Sequence, residues 1–97
     1  MSSRNGNRLL LFVVGEEVNS RQAKVNLQRV IDEHFSGSLD VEVVDVLQDF
    51  RSAIDHKVFV TPALVVGGNG DGTTTLYGDL ANERLVLNAL RNSLADV

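Results

Sequence analysis

The sequence predicts an α/β domain with the element order βαβαββα, a mixed four-stranded sheet with helices on both faces. Three observations lead there. Two apolar runs, Leu9–Val14 and Leu39–Val46, are separated by a helix-patterned stretch, and a crossover through a helix sets two strands parallel. The chain's single proline, Pro62, heads the run Ala63-Leu64-Val65-Val66, where a strand tolerates a residue without an N–H. The glycine cluster Gly67–Gly72 then joins that run to Thr73–Tyr77, and strands joined by a short turn run antiparallel.

Residues 1–8 are mostly small and polar and read as a flexible tail, which leaves 9–97 as one domain. Leu9–Val14 is unbroken in its apolarity, the pattern of a strand buried on both faces. Gly15–Val18 is the connection, with Asn19 or Ser20 as cap of a helix predicted from Ser20 to Phe35. Ala23, Leu27, Val30, Ile31 and Phe35 share one face of that helix, and Arg21, Lys24, Gln28 and Asp32 the other. Ser36-Gly37 ends it. Leu39–Val46 is β-branched and reads as a strand. From Leu47 to Lys57, the residues Leu47, Phe50, Ile54 and Val58 recur at three- and four-residue spacing and predict a short second helix. Gly78 breaks the strand Thr73–Tyr77, and Asp79 offers a cap for a final helix from Ala81 to Leu94. Leu87, Leu90 and Leu94 are expected to face inward there.

Composition narrows the function classes. Ninety-seven residues hold one core. A formal net charge of −4, with Arg and Lys scattered, argues against nucleic acid or an anionic membrane as partner. No apolar run has transmembrane length and no signal-peptide core follows Met1, so a cytoplasmic location is expected. The tail beginning at Met1 reads as that of a free-standing protein. Cysteine is absent, which removes disulfides, thiolate metal sites and thiol catalysis.

No motif carries catalysis. Gly67–Gly72 has the composition of a phosphate loop but lacks the lysine and joins two strands instead of leading into a helix. Its acidic content is too low for calcium, so it reads as a hairpin turn. His34 and His56 stand in different elements and read as helix-end residues, with no metal site expected. Glu16 and Glu17 read as a solvated loop. Phe50, Arg51, Lys57, Val58 and Phe59 combine aromatic, cationic and apolar character, the mixture of an interaction surface. The alternative is that Phe50, Val58 and Phe59 are core, and the pattern leaves both open.

The element order is that of the thioredoxin-like fold. In that fold a reactive thiol closes the first strand, where this chain has Gly15-Glu16-Glu17-Val18-Asn19-Ser20 and no thiol, so redox activity is not expected. Leu9-Leu-Leu-Phe-Val-Val-Gly15, Asn19-Ser20, Val43-Val-Asp-Val-Leu47, Lys57, Thr61-Pro62 and Gly78-Asp-Leu80 together resemble the KaiB family of circadian-clock proteins. They also resemble the KaiB-like sensor domain of SasA-type histidine kinases. The resemblance covers Leu9 to about Leu94. It implies a module that is not an enzyme and has no cofactor, and that docks on a KaiC-like ATPase, competes with the kinase sensor domain and helps sequester KaiA. The implied binding surface is Asp45, Gln48, Phe50, Ile54, Lys57 and Val58.

The family also implies two folds: a rearranged, commonly tetrameric ground state and a thioredoxin-like monomer that binds the ATPase. Thr61, Pro62, Ala89 and Arg91 are the conformational positions. Where switching members carry Gly and Asp, this chain has Ala89 and Arg91. Both favour helix, and Arg suits a helix C-terminus, together worth about 1–2 kcal/mol. The chain is therefore expected to rest thioredoxin-like, as a monomer or weak oligomer. Its departures at Gly15–Ser20 and Gly67–Gly72 suggest a divergent member from outside cyanobacteria, acting on an ATPase in stress or signalling. Two other readings remain: a kinase sensor domain, and a glutathione-using transferase that binds its ligand at Thr61-Pro62.

Overall fold

A computed structural model describes residues 8–36, 39–67 and 73–94. Along them run β1 (Arg8–Val13), α1 (Val18–Phe35), β2 (Glu42–Asp45), α2 (Phe50–Asp55), β3 (Ala63–Gly67), β4 (Thr73–Tyr77) and α3 (Glu83–Leu94). The sheet order is β2-β1-β3-β4. As predicted, β1 and β2 are parallel, with Leu11 opposite Val43. β3 lies antiparallel to both β1 and β4, with Gly67 opposite Thr73. The turn expected at Gly67–Gly72 and the tail at 1–8 fall mostly outside the described residues, as do Gly37 and the side chain of Leu94.

Successive strand residues point to opposite faces, so β1 feeds two cores. Leu9, Leu11 and Val13 pack with Ala23, Leu27, Val30 and Ile31 of α1, Leu64 and Val66 of β3, and Val86, Ala89 and Leu90 of α3. Leu10 and Phe12 face the other way, with Val44, Ala53, Val58, Ala63 and Val65. This is why β1 shows no polar alternation. The two faces are unequal: α1 and α3 cover the first, and the short α2 covers the second with only Ala53 buried. Among the described residues no helix is long and apolar enough to cross a membrane.

Several boundaries differ from expectation, each for a local reason. The α1 cap is Glu17, whose carboxylate accepts the Ser20 N–H at 3.1 Å. Ser20 is instead buried, and its Oγ accepts the Val14 N–H at 3.0 Å, tying the end of β1 to the helix. β2 is shorter than Leu39–Val46, and as an edge strand it leaves Val43 half exposed. α3 begins two residues later than predicted. Its cap is Asn82, which accepts the Leu85 N–H at 3.2 Å, whereas Asp79 closes a turn on the Ala81 N–H at 3.0 Å.

That turn is braced from below. Gly78 adopts φ +101° and donates its N–H to the Pro62 carbonyl at 2.9 Å. Thr61–Pro62 is a cis peptide bond. Leu80 adopts φ +62°, sparsely populated for a bulky side chain, yet it is buried in the first core. The buried Asn26 of α1 donates from Nδ2 to the Asp79 carbonyl at 2.9 Å. Ala89 is buried and Arg91 exposed, both within α3.

Candidate interaction surface

The surface is built where β2 ends. The Asp45 carbonyl accepts both the Gln48 and the Asp49 N–H at 2.9 Å, turning the chain. Its Oδ1 accepts the Gly15 N–H at 3.1 Å and the Leu47 N–H at 3.0 Å, so one carboxylate fastens the two loops that leave β1 and β2. Gly15 itself sits at φ +50°, a conformation glycine adopts without the clash of a Cβ. Asp49 then caps α2, accepting the Ser52 N–H at 3.2 Å.

α2 ends in a Schellman motif. The Val58 N–H reaches the Ala53 carbonyl at 2.8 Å and the Lys57 N–H reaches the Ile54 carbonyl at 3.0 Å. Lys57 takes the left-handed position at φ +59°, usually held by glycine. The motif's apolar pair is Ala53 with Val58, and both belong to the second core. Folding them inward turns the rest of the stretch outward. Leu47 is 72% exposed, Phe50 67% and Ile54 57%, with Phe50 and Ile54 four residues apart on one helical face. Phe59, 80% exposed, and Val60 continue the apolar surface along the chain, and Arg51 and Lys57 supply exposed cationic groups.

Comparison with known proteins decides the lineage. Residues 10–91 match the family model described as the KaiB domain. The chain belongs to the KaiB family. A circadian clock oscillator protein KaiB from Synechococcus sp. strain CC9311 is 33% identical, over 99% of this chain and 90% of that one. The circadian clock protein KaiB3 of Synechocystis is also 33% identical, over 81% and 76%. Among solved structures, Fasciola hepatica thioredoxin has a TM-score of 0.75 at 17% identity, covering 93% of this chain and 83% of its own. The N-terminal domain of Synechococcus elongatus SasA has a TM-score of 0.65 at 23% identity, covering 100% and 90%. Both likenesses show the α/β, thioredoxin-like fold. The KaiB-family chain shares that frame with thioredoxin while having no cysteine to work with.

The residues expected on this KaiB-family surface divide in three. Gln48, Phe50, Ile54 and Lys57 are exposed together. Asp45 is half buried, and one of its carboxylate oxygens is engaged by backbone N–H groups, so it positions the loop that carries Leu47. Val58 is a correction: at 5% exposed it is the Schellman anchor in the core and is not available at the surface. The alternative that Phe50, Val58 and Phe59 are all core is likewise overturned for the two aromatics. Leu47 and Val60 are surface residues that the sequence does not single out. Their apolarity was the only signal, and it pointed inward. His34 and His56 stand at the ends of α1 and α2 as expected.

Proposed function

We propose that this KaiB-family chain is a non-enzymatic protein-interaction module that docks on a KaiC-like ATPase through α2 and the loops flanking it. We further propose that it rests in the thioredoxin-like state. One observation carries the docking surface: Leu47, Phe50 and Ile54 are exposed beside Arg51 and Lys57. Large apolar side chains held outward among cationic ones mark an interface, because their burial against a partner removes apolar area from water. The absence of cysteine supports the non-enzymatic reading, since the thiol chemistry of the shared fold has no reactive atom here.

Isolated protein should run as a monomer or weak oligomer and join the peak of a KaiC-type ATPase from the same organism in size-exclusion chromatography. Lys57→Glu and Phe50→Ser are each expected to weaken that association by at least about tenfold, or ~1.4 kcal/mol. Both side chains are exposed, so stability should stay within about 0.5 kcal/mol. Unchanged affinity in both variants would remove the surface. In the same samples, NMR secondary shifts should be helical across Val86 to Arg91, where Ala89 and Arg91 favour helix. Strand-like shifts there would refute the proposed resting state.

A second reading, the sensor domain of a histidine kinase, rests on the likeness to the SasA domain. It uses the same surface and is distinguished by a kinase region in the gene downstream of Val97.

A further inference from the structure

We propose that Glu33, His34 and Glu83 form a binding site for a divalent first-row transition metal ion, clamping the last turn of α1 to the first turn of α3. One ligand atom from each residue lies within 4.8 Å of the other two. His34 Nε2 and Glu83 Oε2 are already 2.9 Å apart, although the residues are 49 positions apart in sequence. A cation held at metal–nitrogen and metal–oxygen distances of about 2.0–2.2 Å places its ligand atoms roughly 3–4 Å from one another. With the ligand atoms already within 4.8 Å of one another, and Glu33 and His34 exposed and Glu83 half-buried, side-chain rotation suffices to bring them to that spacing.

The charge balance points the same way. Two carboxylates are brought together with one imidazole, and among the described residues no Lys or Arg lies within ion-pair distance of either. Like charges held close are unfavourable, and a divalent cation reverses the sign of that term. The donor set narrows the choice of metal. Calcium and magnesium prefer all-oxygen shells, whereas an imidazole with two carboxylates suits zinc and its first-row neighbours. Three protein ligands leave further positions to solvent.

The site exists only when α3 packs on α1 as it does here. Metal binding is thereby linked to this arrangement and stabilises it by mass action. The site is made by this chain alone and needs no protein partner.

The test is Zn2+ titration of tag-free full-length protein by calorimetry, with thermal melts in Zn2+ and in chelator. One equivalent should bind, and Tm should rise with Zn2+. His34→Ala and Glu83→Gln should each weaken binding by at least about tenfold, or ~1.4 kcal/mol, and abolish the Tm rise. His56→Ala, on a different helix, should change neither. The proposal is overturned if no saturable binding appears at millimolar Zn2+, or if binding survives both His34→Ala and Glu83→Gln. Far-UV circular dichroism of the metal-free variants confirms that each is folded, since the three side chains are at the surface.

Discussion

Phe12→Ala is expected to remove about 3–5 kcal/mol of stability, a large share of the roughly 5–15 kcal/mol that a domain of this size possesses. Phe12 is fully buried and is the largest side chain of the second core, whose other members are Leu10, valines and alanines. Its ring also meets His56, with centroids 5.6 Å apart and planes tilted by 50°. The void left by the ring is hard to refill. α2 offers only Ala53 inward, and its ends are pinned by the Asp49 cap and the Schellman bonds, so it cannot sink without breaking them. Urea unfolding should show the loss as a lower midpoint with an unchanged slope. Phe12→Leu, which keeps most of the volume, should lose less than about 2 kcal/mol. If Phe12→Ala lost under about 1.5 kcal/mol, α2 would have to be mobile enough to collapse onto the sheet.

Asn26→Asp should destabilise the domain by about 3 kcal/mol, more than Asn26→Ala at about 1–3 kcal/mol. The native amide is nearly buried and donates to the Asp79 carbonyl. Aspartate replaces that donor with a charged acceptor facing another acceptor, while alanine merely leaves the carbonyl without this donor. The effect should concentrate at the entry to α3, because Leu80 holds a left-handed conformation that its surroundings must enforce. Native-state hydrogen exchange is the discriminating measurement: α3 amides should lose more protection than those of β1. Equal losses across both elements would mean that the bond contributes to global stability without bracing the turn.

Much of this architecture was legible in the chain itself. An unbroken run such as Leu9–Val14 has one comfortable place, the middle of a sheet covered on both faces, and β1 lies there. The α1 stripe Ala23, Leu27, Val30 and Ile31 is long enough that its apolar face must be the inward one. Helix ends were less legible. Glu17, Ser20, Asp79 and Asn82 all have side chains able to cap, and the choice among them rests on backbone geometry that composition does not report.

The interaction surface marks the sharper limit. Spacing shows that Phe50 and Ile54 share a face, but not which face of a short helix meets the sheet. Ala53 and Val58 took the inward place because the Schellman turn pairs them and a small residue lets α2 approach Phe12 closely. Asn26 against Asp79, and His34 beside Glu83, are invisible to any periodicity, since each joins residues about fifty positions apart. The order of strands and helices, the buried central strand, the lack of thiol chemistry and the family were determined by the sequence alone, through local pattern and residue type. Which apolar residues face outward, what holds the turn into α3 and where two carboxylates converge on an imidazole were decided by the tertiary structure, because packing brings together residues that the chain keeps apart.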